Sequence, residues 1–467
     1  MTTYPSVNVR TLYIDRLNET LDGFFNVEDL RSYRDLAGNG EGPLHTLVGV
    51  LTNLQAYQAR MMALFEDNKV LGSTELPKAY ARRTLIDRAA EDLEVVLRAL
   101  AQRMPPLSLN LDWVQRLKLA DRLAFAALKP VMSDRIGGLL PEDVAMLRPT
   151  TAVTYFQKAN SIRVIPYAPV ALIGIPFSAA TYDQDLLAIP HEIGHYVYWH
   201  EPLERGSLNG SLARHFWDQP AWLSAWQEEI FADVYGALVA GPYMAIDFQD
   251  ILADTSRTRF ITDDGEHPVS IARAYVFTSV LRAIGYDGVA GEIDAKWKQT
   301  VEATYGPTEE AVVGGQVLPL EEIIGRLDTV VRRIVNFDLP HMKIPAADTW
   351  SWGATTAGSE PVDLTRYQSN FETYVASYLT GANATGAQAS VAPGLPFLEV
   401  DGTTTRLVAP GQGMLNTHSL GETGSKLDEY LTAAEKEARP IEPAIWYQLL
   451  SSGGWTTGPG DIITSGK

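Results

Sequence analysis

The chain has 467 residues, a formal net charge of −19 and no cysteine. Disulfides, thiolate metal ligands and a cysteine nucleophile are therefore excluded, and a bound metal would need His, Asp or Glu. So acidic a surface repels nucleic-acid phosphates and anionic lipids, and the most basic stretch, 79–88 (AYARRTLIDR), runs straight into AAEDLE and reads as a solvated helix face.

Hydrophobic residues make up 46% and charged residues 20%, enough for a sizeable core. The start, MTTYPSVNVRTLYIDRLNE, has no basic segment followed by an apolar run. The longest largely apolar stretch, 168–180, is too short to span a bilayer and holds two prolines. The expectation is a soluble, cytoplasmic protein with no membrane insertion and no nucleic-acid partner. Export by a route that needs no cleavable signal stays open.

In chain order, residues 1–44 read as irregular structure and short helices. Three stretches with apolar residues at helical spacing follow, 45–67, 77–104 and 111–132. Pro77 opens the second and Pro105–Pro106 end it. Segment 151–180 is rich in Val and Ile but interrupted by prolines, which points to edge strands or short strands joined by turns. Next comes LLAIPHEIGHYVYWH, 186–200. Proline is tolerated in a first helical turn, so this helix begins near Ile189 or bends there. Stretch 219–241 reads as a helix with Pro220 near its start and Gly241 just past its end. Further helices are expected at 269–285 and 318–336. Beyond about 345, Gly, Ala, Thr and Ser dominate, leaving a loop-rich region with helix near 425–437 and 442–450. The expected class is α+β, mainly helical. Its parts are a helical N-terminal region (1–150), a central domain (151–340) and a loop-rich C-terminal region (341–467).

His191-Glu192-Ile193-Gly194-His195 fits the pattern HExxH. Positions i and i+4 share a helix face, so the two imidazoles can hold one Zn²⁺. Glu192 lies about 100° round the helix from its neighbour, where it can reach a water at the metal without being a ligand. That is the place for a general base. A buried helix could carry the same letters for packing alone, but the chain has only 8 histidines, which disfavours chance. Gly194 costs about 1 kcal/mol against Ala in mid-helix, so it suits a site where something packs against the backbone.

A catalytic zinc site takes three protein ligands and a water. His200 is a poor third ligand, because metzincin spacing would place the histidine at Glu201 and a glycine at Tyr198. Glu229, in EEIFAD, is better. Glu229 and Asp233 are four apart and share a helix face, so one can ligate while the other accepts from a ligand imidazole's free N–H. Glu228 has no such partner on its own helix, its i+4 residue being Ala232. The rival reading of the pair is a solvent-facing acidic stripe, yet it lies in an apolar helix 34 residues after His195. Trp217, Trp222 and Trp226 read as core packing, and Gly413-Met414-Leu415-Asn416 as a turn.

HEIGH followed by EIFAD resembles the gluzincin zinc metallopeptidases, the superfamily that includes thermolysin, over roughly 150–280. The resemblance implies a zincin-like core in which His191, His195 and Glu229 bind Zn²⁺, Glu192 is the general base and Asp233 stands behind the ligands. It implies antiparallel packing of the two helices. It also makes 161–177 an edge strand that lines the cleft and pairs with substrate backbone. Glu266-His267-Pro268, with Arg273 and Tyr275 downstream, is similar to the HP…R motif of the membrane-bound prenyl-protein endopeptidase branch. That likeness implies an oxyanion stabiliser, His267 first, with Tyr275 and Arg273 as alternatives. A capping histidine beside proline is the other reading of His267. The implied activity is zinc-dependent hydrolysis of a peptide or protein substrate, by an endopeptidase. The alternatives are a non-catalytic zinc-containing scaffold and a peptidase effector delivered into another cell.

Overall fold

The computed structural model describes residues 78–104, 111–131, 151–163, 170–200, 216–337 and 363–379, with isolated positions within 43–54, 165, 202–213 and 400–405. Within 43–54 the described positions are helical and bury Leu47, Val50, Leu51 and Leu54 at one-face spacing. The rest of that expected helix lies outside the described residues. Helices α1 (Lys78–Ala101) and α2 (Leu111–Leu128) follow as expected. The apolar stripe of α2, with Leu117, Ala120, Ala124 and Ala127, is fully buried. Helix α2 packs on the sheet and on the HExxH helix, and Tyr235 Oη donates to the Ala127 carbonyl at 2.6 Å. The change of composition near residue 150 is therefore no gap in the packing, since one apolar core runs across it.

The sheet has three strands, β1 (Thr151–Gln157), β2 (Ser161–Arg163) and β3 (Val170–Pro176), in the order β1-β3-β2. Strands β1 and β3 are parallel, while β2 runs antiparallel to β3. Segment 161–177 is thus not one edge strand. Only β2 lies at the edge, and β3, apolar throughout, is central and buried from Val170 to Ile175. The outer edge of β1 is closed by side chains. Gln102 accepts from Phe156 N at 2.7 Å and donates to Phe156 O at 2.8 Å. Asp121 accepts from Thr154 N at 2.7 Å and is itself clamped by Arg103. A strand edge sealed in this way offers no template for pairing with another chain.

The rest is helical apart from short hairpins. The elements are α3 (Ile189–His200), α4 (Ala221–Ala225), α5 (Gln227–Ala240), α6 (Pro242–Ala253), α7 (Arg257–Ile261), α8 (Ser270–Ala283) and α9 (Asp287–Tyr305). A hairpin of β4 (Glu310–Val313) and β5 (Gln316–Pro319), then α10 (Leu320–Val335) and α11 (Thr365–Leu379), follow. The single helix expected over 219–241 is interrupted at Trp226, whose backbone (φ −84, ψ 2) leaves the helical region while its side chain is fully buried. Leu318 and Pro319 pair in β5, so α10 starts at Leu320. Helix α8 is buried on all sides from Ile271 to Leu281 and is the hub against which α5, α6, α9 and α10 pack. Helix α11 lies inside the stretch expected to be loop-rich. The helices expected at 425–437 and 442–450, and the 413–416 turn, lie outside the described residues. No helix among the described residues is long and apolar enough to cross a membrane.

Candidate metal centre

Among the described residues, α3 and α5 form the helix pair with the most extensive contact, and their contacts run antiparallel. Gly236 meets His191, Ala232 meets Gly194, and Glu228 meets both His195 and Trp199. Two glycines allow the approach. A Cβ on Gly194 would lie 2.7 Å from Ala232 Cα and 3.0 Å from its carbonyl oxygen. A Cβ on Gly236 would lie 2.4 Å from Met244 Sδ and 3.2 Å from His191 N. Pro190 sits in the first turn of α3, where its missing N–H costs nothing. The helix begins at Ile189, and Glu192 N already donates to Ala188 O at 3.1 Å.

This packing brings His191, His195 and Glu229 together, each offering a donor atom within 4.8 Å of the others. The two Nε2 atoms are 3.1 Å apart. Nε2 of His191 is 3.5 Å from Glu229 Oε2, and Nε2 of His195 is 3.4 Å from Glu229 Oε1. Tetrahedral zinc with bonds near 2.0–2.1 Å has ligand–ligand edges of about 3.3 Å, so the spacing suits one such ion.

Both imidazoles have a carboxylate behind them. His195 Nδ1 is 2.9 Å from Glu228 Oε1, which also accepts from Trp199 Nε1 at 2.8 Å. His191 Nδ1 is 2.9 Å from Asp233 Oδ1, at hydrogen-bonding distance but off the best angle. A carboxylate only accepts, so each Nδ1 carries the proton and each Nε2 presents its lone pair. Two lone pairs facing each other at 3.1 Å call for a cation between them. The surroundings favour one. Among the described residues, Glu192, Glu228, Glu229 and Asp233 oppose Arg273, a balance of 1 − 4 = −3 with neutral imidazoles. Burial works against a charged His195, but Glu229, then Glu228 and Glu192, outweigh it and push its pKa up to about 10. In the metal-free chain that second proton lies on His195 Nε2 and bridges to the lone pair of His191 Nε2 at 3.1 Å, in the place a metal ion would take.

Glu192 is 7% exposed. Burial raises its carboxyl above the ordinary value, with the two imidazoles pulling it back and Glu229 adding to the rise. Arg273 comes from α8. Its Nε and Nη2 bind both oxygens of Asp233 at 2.8 Å, and Nη2 also reaches Glu229 Oε2 at 2.9 Å. Burial opposes the Asp233 charge, but Arg273 and His191 hold its pKa at about 2. Arg273 thus sets the orientation of the two carboxylates. His267 stands on the open side, its side chain 35% exposed, with Nε2 3.4 Å from Glu229 Oε1. Its Nδ1 is held by Asp264 Oδ2 at 2.8 Å, and Asp264 also caps His267 N. Tyr275 is turned elsewhere. Burial pushes it up to about 12, and the charges it senses are Asp294 and Arg282. His200 ends α3, and its side chain lies outside the described residues.

Two partners escaped the sequence reading. Glu228 finds its imidazole on α3 rather than on its own helix, so no i+4 rule points to it. Asp264, three residues before His267, was legible only as a turn acid. Comparison with family models, curated proteins and solved structures gave no match for this chain.

Proposed function

We propose that this chain is a zinc-dependent peptidase with a zincin-like core, in which His191, His195 and Glu229 hold the metal. The observation that carries the reading is the buried convergence of three donors, with a carboxylate at Nδ1 of each imidazole. Zn²⁺ bound there would supply Lewis acidity, lowering a water's pKa and polarising a carbonyl. Glu192 accepts the attacking water's proton on a carboxylate oxygen and passes it to the peptide nitrogen as the C–N bond breaks. A raised carboxyl pKa suits both halves of that transfer. His267, with Nδ1 held by Asp264 and Nε2 turned towards Glu229, is the group placed to stabilise the developing oxyanion. Strand β2, at the sheet edge and packed beside α3, offers backbone groups to an extended substrate.

The test is metal analysis and cleavage of a mixed peptide library by wild type and Glu192→Gln. One zinc per chain is expected in both proteins, with cleavage lost by about 10²–10⁴-fold in the variant. Equal cleavage would remove Glu192 as the base. Zinc in wild type without any cleavage would point to the scaffold alternative.

A further inference from the structure

A cavity opens near His267 and Glu229 in the chain, lined by Gly265 and Ala225. It has a volume of about 490 Å³ and lies between α4, the 263–265 turn, the β4–β5 hairpin and the first turns of α10. We infer that this cleft seats a long basic side chain, lysine or arginine, of the peptide substrate. The inference rests on the peptidase reading above.

Position comes first. Gly265 lines the cleft two residues before His267, and Ala225 lines it four residues before Glu229; two residues of chain span at most about 7 Å, so the cleft wall lies within one side chain's reach of His267. Its walls are fixed. Strand alternation turns Gln316 and Leu318 of β5 into the cleft and Val317 away into a separate groove. Asp263 pins the hairpin to the loop that carries His267. Its N–H donates to Val312 O at 3.0 Å, and its Oδ2 accepts from Gly314 N at 3.2 Å. Gly314 has φ +56 and leaves room for Trp222, whose Cβ would be 3.2 Å from an added Cβ. Trp222 also packs on the buried Trp226 at 4.7 Å, so its indole is a held platform.

Charge selects the occupant. Among the lining side chains, Asp263 and Glu322 oppose Arg326, giving 1 − 2 = −1. Arg326 directs both Nε and Nη2 at Glu322 Oε1, at 3.0 and 2.9 Å. Asp264 and Glu266 flank Gly265 in the chain, and Asp264 is engaged with His267. A lysine or arginine stem can lie along Trp222 and Leu318 while its cation meets the Asp263 and Glu322 carboxylates and the indole face. An acidic side chain is repelled.

The experiment has two arms. In the first, wild type and Glu322→Lys cleave a position-scanning peptide library. Wild type is expected to prefer Lys or Arg over Leu and Glu at one position near the scissile bond. The Lys-to-Leu ratio is expected to fall by roughly fivefold or more in the variant. The second arm needs no catalysis. Nα-acetyl-lysine methylamide and its norleucine and glutamate counterparts are titrated into zinc-loaded Glu192→Gln by NMR. Preferential binding of the lysine compound, lost on Glu322→Lys, supports the cleft even if wild type cleaves nothing, in which case only the peptidase reading fails. Equal binding of the lysine and norleucine compounds, or an unchanged Lys-to-Leu ratio in Glu322→Lys, overturns the inference.

Discussion

Replacing Gly194 with alanine tests the closeness of α3 and α5 directly. The new Cβ would lie 2.7 Å from Ala232 Cα, against the 3.4 Å at which ordinary contact begins, so the helices must part locally by 3.4 − 2.7 = 0.7 Å. The obstacle is backbone and cannot swing aside. Overpacking of this kind costs about 1–3 kcal/mol, whereas alanine gains about 1 kcal/mol in helix propensity, so the net expectation is a loss of about 1 kcal/mol. The functional effect is larger. Gly194 adjoins His195, whose Nε2 is 3.4 Å from Glu229 Oε1 across the same helix interface. Opening it stretches the donor triangle, and zinc affinity is expected to fall by about 10–100-fold, the usual scale for disturbing the support of a metal ligand. Urea denaturation of the metal-free protein gives the stability term, and competition with a chromophoric chelator gives the affinity. An alanine variant that is more stable by the full propensity gain, with unchanged zinc affinity, would refute the reasoning.

Removing the carboxylate behind His195, by Glu228→Ala, is expected to weaken zinc by about 10–100-fold in the same chelator competition. Arg273→Leu leaves Asp233 and Glu229 without their shared cation. That should cost about 3–5 kcal/mol in the metal-free protein and less with zinc present, as read by urea denaturation with and without the metal. Asp247 on α6 gives a pH signature away from the centre. Burial, with Asp185 and Asp250 adding and Lys296 opposing, pushes its pKa from 3.8 up to about 7, and its buried Oδ2 has no hydrogen-bond partner among the described residues. The folded chain then keeps a proton that the unfolded chain releases, so this residue lowers stability as pH rises from about 4 to about 7. Asp247→Asn is expected to stabilise the protein by about 2–4 kcal/mol at pH 8 and by almost nothing at pH 4, as measured by denaturation at both values.

Local periodicity decided what could be read from the letters. His191 and His195, and Glu229 and Asp233, are i, i+4 pairs, so each pair shares a helix face whatever the tertiary fold. The start of α3 at Ile189, with Pro190 in its first turn, the glycine at 194 and the stop of α5 at Gly241 follow from backbone chemistry that is equally local. The missed elements carried weaker or ambiguous patterns. The hairpin strands are four residues each, and α6 is apolar on several sides, so neither shows a clean period.

The pairing across helices was settled by packing alone. Glu228 looked idle on its own helix and meets His195 only through the antiparallel register of α3 and α5. Arg273 and Tyr275 are two apart on α8, so they leave the helix in different directions, one into the carboxylates and one towards Asp294. Strand β3 became central because it inserts between the two earlier strands, parallel to β1 and antiparallel to β2. A sequence specifies which residues share one face of one element. Which faces meet depends on how closely the backbones can approach, and here Gly194 and Gly236 set that distance.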